Sequence, residues 1–435
     1  MQKRALTINS RGLNGELAVP GDKSISHRAL MIGALSEGTT VIDHFLAGED
    51  CLSTLRALQD LGVEIERKGE HVEVIGRGIA GLVEPAAPLQ MNNSGTSTRL
   101  LMGILAGQSF TSQLVGDASL SRRPMKRVQG PLARLGAQIG LSEAGTLPAT
   151  VVGHPLQGAR VKLEVASAQI KSAVILAALQ AQGSTTVSEP LPTRDHTERL
   201  LKAFGANLTV DRAANSITVT PGARLVGQEV LVPGDPSSAA FFLVAGAVIA
   251  NSHLTVKDVC LNRTRTGLIR VLKKMGARLS IKETASGGEP LGDVTIQTSQ
   301  LRAVTVTAKD VPDLIDELPL VALLAACADG VSEISGAGEL RVKETDRIQT
   351  VAELLLQLGV DVEERPDGWR IVGRPNWQVQ KPNLNSHGDH RLGMLAAVAA
   401  FRSTTPLFLI DPDAVAVSYP CLLYTSPSPR DGATS

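Results

Sequence analysis

The sequence predicts an α/β protein of two domains, each assembled from three copies of one small unit. Three observations carry that expectation. A turn reading PGDKSISHR from Pro20 to Arg28 returns in altered form as PGDPSSAAF from Pro233 to Phe241, so one ancestral segment is used twice. Apolar helical runs rich in alanine and leucine, each followed by a strand-like stretch, recur six times along the chain. Finally, 435 residues exceed what a single hydrophobic core usually organises.

The six runs are RALMIGALSEGTTVI near Ser24, RLLMGILAGQSFTSQLV near Gly95, SAVILAALQAQGSTTV near Ala168, FFLVAGAVIANSHLTV near Ser237, PLVALLAACADGVSEI near Asp316 and LGMLAAVAAFRSTTPLFL near His390. Apolar residues on nearly every face predict helices buried all round. Between them lies a second kind of helix, amphipathic and ending in Leu, two variable residues, an apolar residue and glycine. It ends at Gly62, Gly136, Gly205, Gly276 and Gly359. A glycine just past the last periodic leucine predicts a left-handed cap, where a side chain would be strained. The stretches that follow (VEIE, AQIG, ANLTV, ARLSI, VDVEE) mostly alternate as half-buried strands do. A repeat of roughly 70 to 80 residues is longer than a solenoid unit of ~20 to 50, so each copy is a small α/β subdomain.

A sixth amphipathic helix is expected just after Pro420, but the sequence there reads CLLYTSPSPRDGATS. Its prolines and serines have no helical period. Cys421–Ser435 resembles the translated read-through of a sequencing-library adapter, so 421–435 is set aside as a non-native tail and the natural chain is expected to continue into a closing helix. The expected organisation is a strand segment at 1–19 joining the C-terminal domain, an N-terminal domain at 20–232, and a C-terminal domain at 233–420 whose last repeat is incomplete.

Composition narrows the class of ligand. The 43 basic and 43 acidic side chains cancel, which gives no reason to expect a nucleic-acid or membrane partner. No apolar run approaches the ~18 residues of a membrane span, and MQKRALTINS lacks the apolar stretch of a secretory signal. Cys51, Cys260, Cys327 and Cys421 are scattered without metal-ligand or CxxC spacing, which fits a reducing cytoplasm.

The polar clusters all fall where a buried helix begins. In PGDKSISHR, Lys23, Ser24 and Arg28 lead an apolar run, and a helix N-terminus flanked by cations attracts anions; a solvated charged turn is the plain alternative. The string is not a nucleotide P-loop, because Asp22 rather than glycine precedes Lys23. MNNSGTSTR places Asn93 and Gly95 in a second such turn, which either binds an anion or merely caps a helix. Arg122, Arg123, Lys126 and Arg127 in SLSRRPMKR read most simply as a solvated face. Ser167, Gln169 and Lys171 open a third helix, and Thr193, Arg194 and His196 follow in TRDHTER. In the second half, Asp313, Asp316 and Glu317 precede an apolar helix as caps or as a base. RVKETDRI reads as a charged helix on which Lys343 and Arg347 share a face, with Glu344 between them. GDHR supplies Asp389, His390 and Arg391. Taken together, the repeated charged turns suggest helix N-termini gathered around at least two anionic groups, leaving Asp316 and Glu344 for proton transfer.

PGDKSISHR, NSGTSTR, RRPM, PGDPSSAAF, IDELP, RVKETDR and GDHR together resemble the 5-enolpyruvylshikimate-3-phosphate synthase family, in that family's order from residue 5 to 420. The resemblance implies a two-domain inside-out α/β prism, each domain three βαβαββ repeats, with the active site in the interdomain cleft. It implies transfer of the enolpyruvyl group of phosphoenolpyruvate to the 5-hydroxyl of shikimate 3-phosphate with release of phosphate. No metal and no organic cofactor is implied, and the expected protein is a cytoplasmic monomer with small-molecule partners. By resemblance, Lys23, Ser24, Arg28, Ser167, Ala168, Gln169, Thr193, Asp316 and Lys343 hold shikimate 3-phosphate. Lys23, Asn93, Gly95, Arg123, Gln169, Arg347, Asp389, His390 and Arg391 hold phosphoenolpyruvate. Asp316 accepts the proton of the 5-hydroxyl, and Glu344 with Lys23 manages the proton at the methylene carbon.

Three positions depart from the family's pattern. Asn92 stands where glycine is usual, Val417 where many members have a lysine, and the tail replaces the closing helix. The nearest rival, UDP-N-acetylglucosamine enolpyruvyl transferase, has asparagine after the first-turn lysine and a loop cysteine, whereas here Ser24 follows Lys23 and no cysteine falls between Cys51 and Cys260. A ligand-binding or truncated, inactive homologue is the rival from another class; Asp316 and Glu344 argue against the former.

Overall fold

The computed structural model describes residues 3–6, 12–284, 288–374 and 376–417. Among them, eleven α-helices alternate between the two kinds expected. In chain order they are α1 (Lys23–Ala34), α2 (Glu49–Asp60), α3 (Gly95–Leu105), α4 (Lys126–Ala133), α5 (Ala168–Ala178), α6 (His196–Ala203), α7 (Pro236–Val248), α8 (Gly267–Lys274), α9 (Leu318–Cys327), α10 (Arg347–Gln357) and α11 (His390–Ala400). Odd-numbered helices are the apolar runs: α1 is buried from Ile25 to Ala34 and α9 from Leu318 to Ala326. Even-numbered helices bury a stripe, as α8 does with Leu268, Ile269, Val271 and Leu272 while Lys273 and Lys274 face out.

All five even helices stop by one device. Gly62, Gly136, Gly205, Gly276 and Gly359 take φ of 84°, 90°, 95°, 84° and 84°. The next residue's N–H then reaches back to a last-turn carbonyl, as from Val63 to Leu58 at 3.0 Å and from Ala277 to Leu272 at 2.9 Å. Each glycine leads into the outermost strand of a sheet, beginning with Glu64–Lys68 and ending with Asp361–Arg365.

Five four-stranded sheets share one plan, with the first two strands parallel and the rest antiparallel. A sixth described sheet runs Asn383–Asn385, Leu407–Ile410, Lys3–Leu6 with the same parallel-then-antiparallel start. The closing helix expected after Pro420, and the tail from Cys421, lie outside the described residues. Contacts divide the chain into two compact units, Gly21–Val232 and the described residues on either side of it. In the second unit, Asn14–Ala18 supplies the first strand of a sheet whose next strand is His253–Cys260. In the first, Glu229–Leu231 pairs with Glu37–Asp43. The chain thus closes the first sheet of each unit with a strand distant in sequence.

The apolar helices form the core of each unit. α3 and α5 approach so closely that a Cβ on Gly103 would lie 2.2 Å from the Ala173 carbonyl, which reserves that position for glycine. In the other unit α7, α9 and α11 pack on one another. Each fully buried leucine there contributes about 1.5–3 kcal/mol relative to exposure, so Leu323→Asp in the middle of α9 would break that core.

Candidate active site

Within Gly21–Val232, three N-capped helices present the predicted residues. Asp22, Ser94 and Ser167 accept from the N–H groups of Ile25, Ser97 and Ile170 at 2.9, 3.2 and 3.5 Å, which fixes where α1, α3 and α5 begin. A buried polar chain ties the first two to α2: His27 Nδ1 lies 2.7 Å from Thr54 Oγ1, which lies 2.6 Å from Ser97 Oγ. Burial holds the His27 imidazole down to about pKa 3, outweighing the attraction of Asp50, so it bonds as the neutral ring. Lys23, at the first position of α1, is ion-paired with Asp50 of α2.

Arg28 is buried and already oriented. It donates to the Ser24 carbonyl at 2.9 Å, to Ser172 Oγ at 2.8 Å and to Thr197 Oγ1 at 2.6 Å. Ser24, Ser167, Ala168 and Gln169 lie half-buried at the openings of α1 and α5. Gln169 accepts from Arg99 at 2.5 Å and donates to Thr96 at 2.9 Å, joining α5 to α3. Asn93 accepts from Arg123 and donates to Asp117 at 2.7 Å. Gly95 sits below both arginines, since a Cβ there would meet Arg99 Nη1 at 3.1 Å and Arg123 Nη1 at 3.3 Å. Asn93, Gly95, Arg99, Arg123 and Gln169 are thus one cationic patch over a helix N-terminus, suited to a phosphate or carboxylate. The solvated-face reading of SLSRRPMKR holds for exposed Arg122 and Lys126 but fails for Arg123, which is buried against Asn93. Asn92 adopts φ 49°, the left-handed backbone for which glycine is usual, and its amide donates to Ser53 at 2.9 Å. Thr193 is buried and donates from its hydroxyl to Glu189 at 2.5 Å.

In the other unit the centre is Arg347, 1% exposed and the first residue of α10. Asp389 accepts from its Nε at 2.7 Å and Nη2 at 3.1 Å, Glu344 pairs with it at 2.6 Å, and Asp316 lies 3.9 Å away. Burial opposes the charges on both members of the Arg347–Asp389 pair. The carboxylates nevertheless raise the guanidinium's pKa, and Arg347 holds the Asp389 carboxyl below its usual range. Asp389 also caps α11 through the Arg391 N–H at 2.9 Å, and His390 is buried beside it. Arg391 donates to the Asp316 carbonyl at 3.0 Å and lies 3.8 Å from its carboxylate. These carboxylates are turned on guanidinium groups, and Asp316 is 17% exposed.

Two expectations fail locally. Lys343 and Arg347 do not share a helix face: Asp346 accepts from the N–H groups of Ile348 and Gln349, each at 3.1 Å, so α10 begins at Arg347 and Lys343 follows a 3-10 turn at Gly338–Val342. Nor does an acid cap α9. Glu317 stands at the cap position without a capping bond; it accepts from Ser237, which Arg265 also reaches at 3.1 Å. Arg99, Asp50 and Arg265 have no place in the motif reading. For Arg99 the signal was present, four residues after Gly95 on the same helix face.

No helix among the described residues is long and apolar enough to cross a membrane. Residues 8–425 match the model of the family described as EPSP synthase (3-phosphoshikimate 1-carboxyvinyltransferase). The chain is 99% identical over 420 residues to a 3-phosphoshikimate 1-carboxyvinyltransferase of Limosilactobacillus fermentum, covering 97% of each. It is 54% identical over 420 residues to the protein of that name in Lactiplantibacillus plantarum, again 97% of each. The fold superposes on the EPSP synthase of Acinetobacter baumannii with a TM-score of 0.85 at 44% identity, over 97% of this chain and 96% of that one. The enolpyruvyl transferase NikO of Streptomyces tendae, at 17% identity and a TM-score of 0.79 over 97% and 96%, shares the fold.

Proposed function

The chain belongs to the EPSP synthase family, and from that premise we propose how its residues carry the enolpyruvyl transfer. The reaction joins the enolpyruvyl group of phosphoenolpyruvate to the 5-hydroxyl of shikimate 3-phosphate and releases phosphate. The observation that carries it is the 99% identity, over 97% of both chains, to a 3-phosphoshikimate 1-carboxyvinyltransferase. The site geometry supplies a physical rationale.

Both substrates are anions, and the site's cations sit at helix N-termini. Ser24, Arg28, Ser167, Ala168, Gln169, Thr193 and Lys343 hold shikimate 3-phosphate, with Arg28 already aimed by Ser172 and Thr197. Lys23, Asn93, Gly95, Arg123, Gln169, Arg347 and Arg391 hold phosphoenolpyruvate. Asp389 and His390, both buried, act on it through Arg347 and the start of α11. Asp316 takes the proton of the 5-hydroxyl as its oxygen attacks the substituted enol carbon. A proton adds to the methylene carbon beside it, delivered by Glu344 or Lys23, giving a tetrahedral intermediate. Loss of phosphate and return of a proton from the new methyl group to Glu344 or Lys23 then restore the double bond. The arginines stabilise the negative charge that gathers on the departing phosphate.

Phosphate release is expected only when shikimate 3-phosphate and phosphoenolpyruvate are both present. Equal release with UDP-N-acetylglucosamine as acceptor would overturn the reading. Asp316→Ala should slow turnover by ~10²–10⁴-fold, the range of a lost general base; unchanged turnover would remove that role from the carboxylate. A cytoplasmic monomer belongs to the same reading, and sedimentation at the mass of one chain is the expected result.

A further inference from the structure

One buried cluster has no part in the reaction above. The Lys171 side chain is 2% exposed on α5, with Nζ 3.0 Å from Glu189 and 2.8 Å from Glu198, both 5% exposed. Such a triad contributes little to stability as such, because desolvation of three charges offsets their attraction. Burial alone would lower the lysine's pKa, but Glu198 and Glu189 outweigh it and raise it, so the ammonium stays charged.

Its geometry points outward to one residue. Glu189 accepts from the Thr193 N–H at 3.1 Å and from the Thr193 hydroxyl at 2.5 Å, while Lys171 donates to the Thr193 carbonyl at 3.3 Å. Every polar group of Thr193 is thereby fixed by two members of the triad. The third member, Glu198, follows Thr197, and Lys171 precedes Ser172. Ser172 and Thr197 are 2.7 Å apart and both orient Arg28. One lysine therefore clamps α5, the turn at Thr193 and the start of α6 at the level of Ser167, Gln169, Thr193 and Arg28.

Resting on the function proposed above, we infer that Lys171 is a positioning residue for the phosphorylated acceptor: with Glu189 it sets Thr193, and so governs affinity for shikimate 3-phosphate rather than for phosphoenolpyruvate. Lys171→Met keeps the chain's reach and removes the charge. It should raise KM for shikimate 3-phosphate about 10-fold or more, the effect of losing one charge-assisted contact at the ligand, with KM for phosphoenolpyruvate within about 2-fold of the parent.

Two further variants separate positioning from general loss of stability. Glu189→Gln removes the charge and one of the two oxygens that accept from Thr193, and should reproduce the acceptor-selective rise. Glu198→Gln leaves Lys171, Glu189 and Thr193 joined and should leave that KM within about 3-fold even where thermal stability falls as far as in Lys171→Met. The inference is overturned if KM for both substrates rises together, if neither moves, or if the shift follows thermal stability across the three variants. If the parent enzyme shows no turnover of shikimate 3-phosphate, the functional reading fails first and separately. Should Lys171→Met not fold, the Glu189→Gln and Glu198→Gln pair decides alone, by the presence or absence of the acceptor-selective difference.

Discussion

Replacing Asp389 by asparagine removes one charge and little else. Asparagine retains the volume and the oxygen that caps α11 at the Arg391 N–H. What disappears is the negative partner of Arg347, which is 1% exposed and donates two hydrogen bonds to that carboxylate at 2.7 and 3.1 Å. Breaking a buried pair on one side costs about 3–5 kcal/mol. Glu344 at 2.6 Å and Asp316 at 3.9 Å still face the guanidinium, so the lower end, about 3 kcal/mol, is expected. For a unit of this size that corresponds to a fall in midpoint of roughly 6–12 °C. Both tryptophans of the sequence, Trp369 and Trp377, belong to the unit that carries Arg347, so their fluorescence reports its unfolding. The pH dependence adds a sign. Because the Asp389 pKa is depressed in the folded state, its contribution is full above the unfolded value of about 4 and vanishes as pH falls through the lower folded value. The gap between parent and Asp389→Asn should thus be widest near neutrality and close in strong acid. A midpoint within about 1 °C of the parent at pH 7, or a gap that persists undiminished into acid, would refute the argument.

Gly95→Ala should leave the fold intact, since alanine suits a helix and the atoms met are the ends of two arginines at 3.1 and 3.3 Å. It should raise KM for phosphoenolpyruvate with little change in KM for shikimate 3-phosphate, as steady-state kinetics with each substrate varied would show. His27, neutral with a pKa of about 3, should lower stability by about 1.4 kcal/mol for each pH unit below about 6.5 down to that value, because only the unfolded chain takes up the proton there. His27→Gln should flatten this slope in denaturant titrations, and its ring resonances in the parent should not titrate between pH 5 and 8. Among the repeated caps, Gly359→Ala should cost more than Gly276→Ala. Both have φ of 84°, but the new methyl would lie 2.1 Å from the Gln378 carbonyl in the first and 3.9 Å from the nearest atom, the Gln300 carbonyl, in the second. The second should lose about 1 kcal/mol and the first clearly more by calorimetry.

What the sequence disclosed was whatever repeats or is local. The Leu-x-x-apolar-Gly endings translate directly into five left-handed caps, because only glycine enters that backbone without penalty. The capped openings of α1, α3 and α5 were legible because Asp22, Ser94 and Ser167 stand immediately before apolar runs. Electrostatic partnership was not legible. Asp316 and Glu317 look like caps by position, yet their charges are drawn to Arg347, Arg391 and Ser237, residues brought in from elsewhere in the chain. Lys343 and Arg347 have helical spacing, but Asp346 takes the cap between them and ends the periodicity. Lys171 has the same history: a lone lysine in an apolar run is visible, whereas its glutamates lie 18 and 27 residues away.

The way each unit closes its first sheet also bears on how the chain is made. Asn14–Ala18 leaves the ribosome early but pairs with His253–Cys260, whose residues emerge more than 200 positions later. Between these events Gly21–Val232 is synthesised whole, and Glu229–Leu231 supplies the partner that Glu37–Asp43 awaits. A Cβ on Gly21 would lie 3.1 Å from Val232, so the two ends of this segment are side by side once it has folded. The interval that the early strand must bridge then shrinks from a long random coil to a short gap, removing most of the closure entropy. Outside the insert, the Asp235 N–H donates to the Pro20 carbonyl at 2.9 Å, joining the two cut ends of the host. The topology thereby predicts an order of folding in which Gly21–Val232 is complete before the strand pairing of the other unit, as its position in synthesis allows.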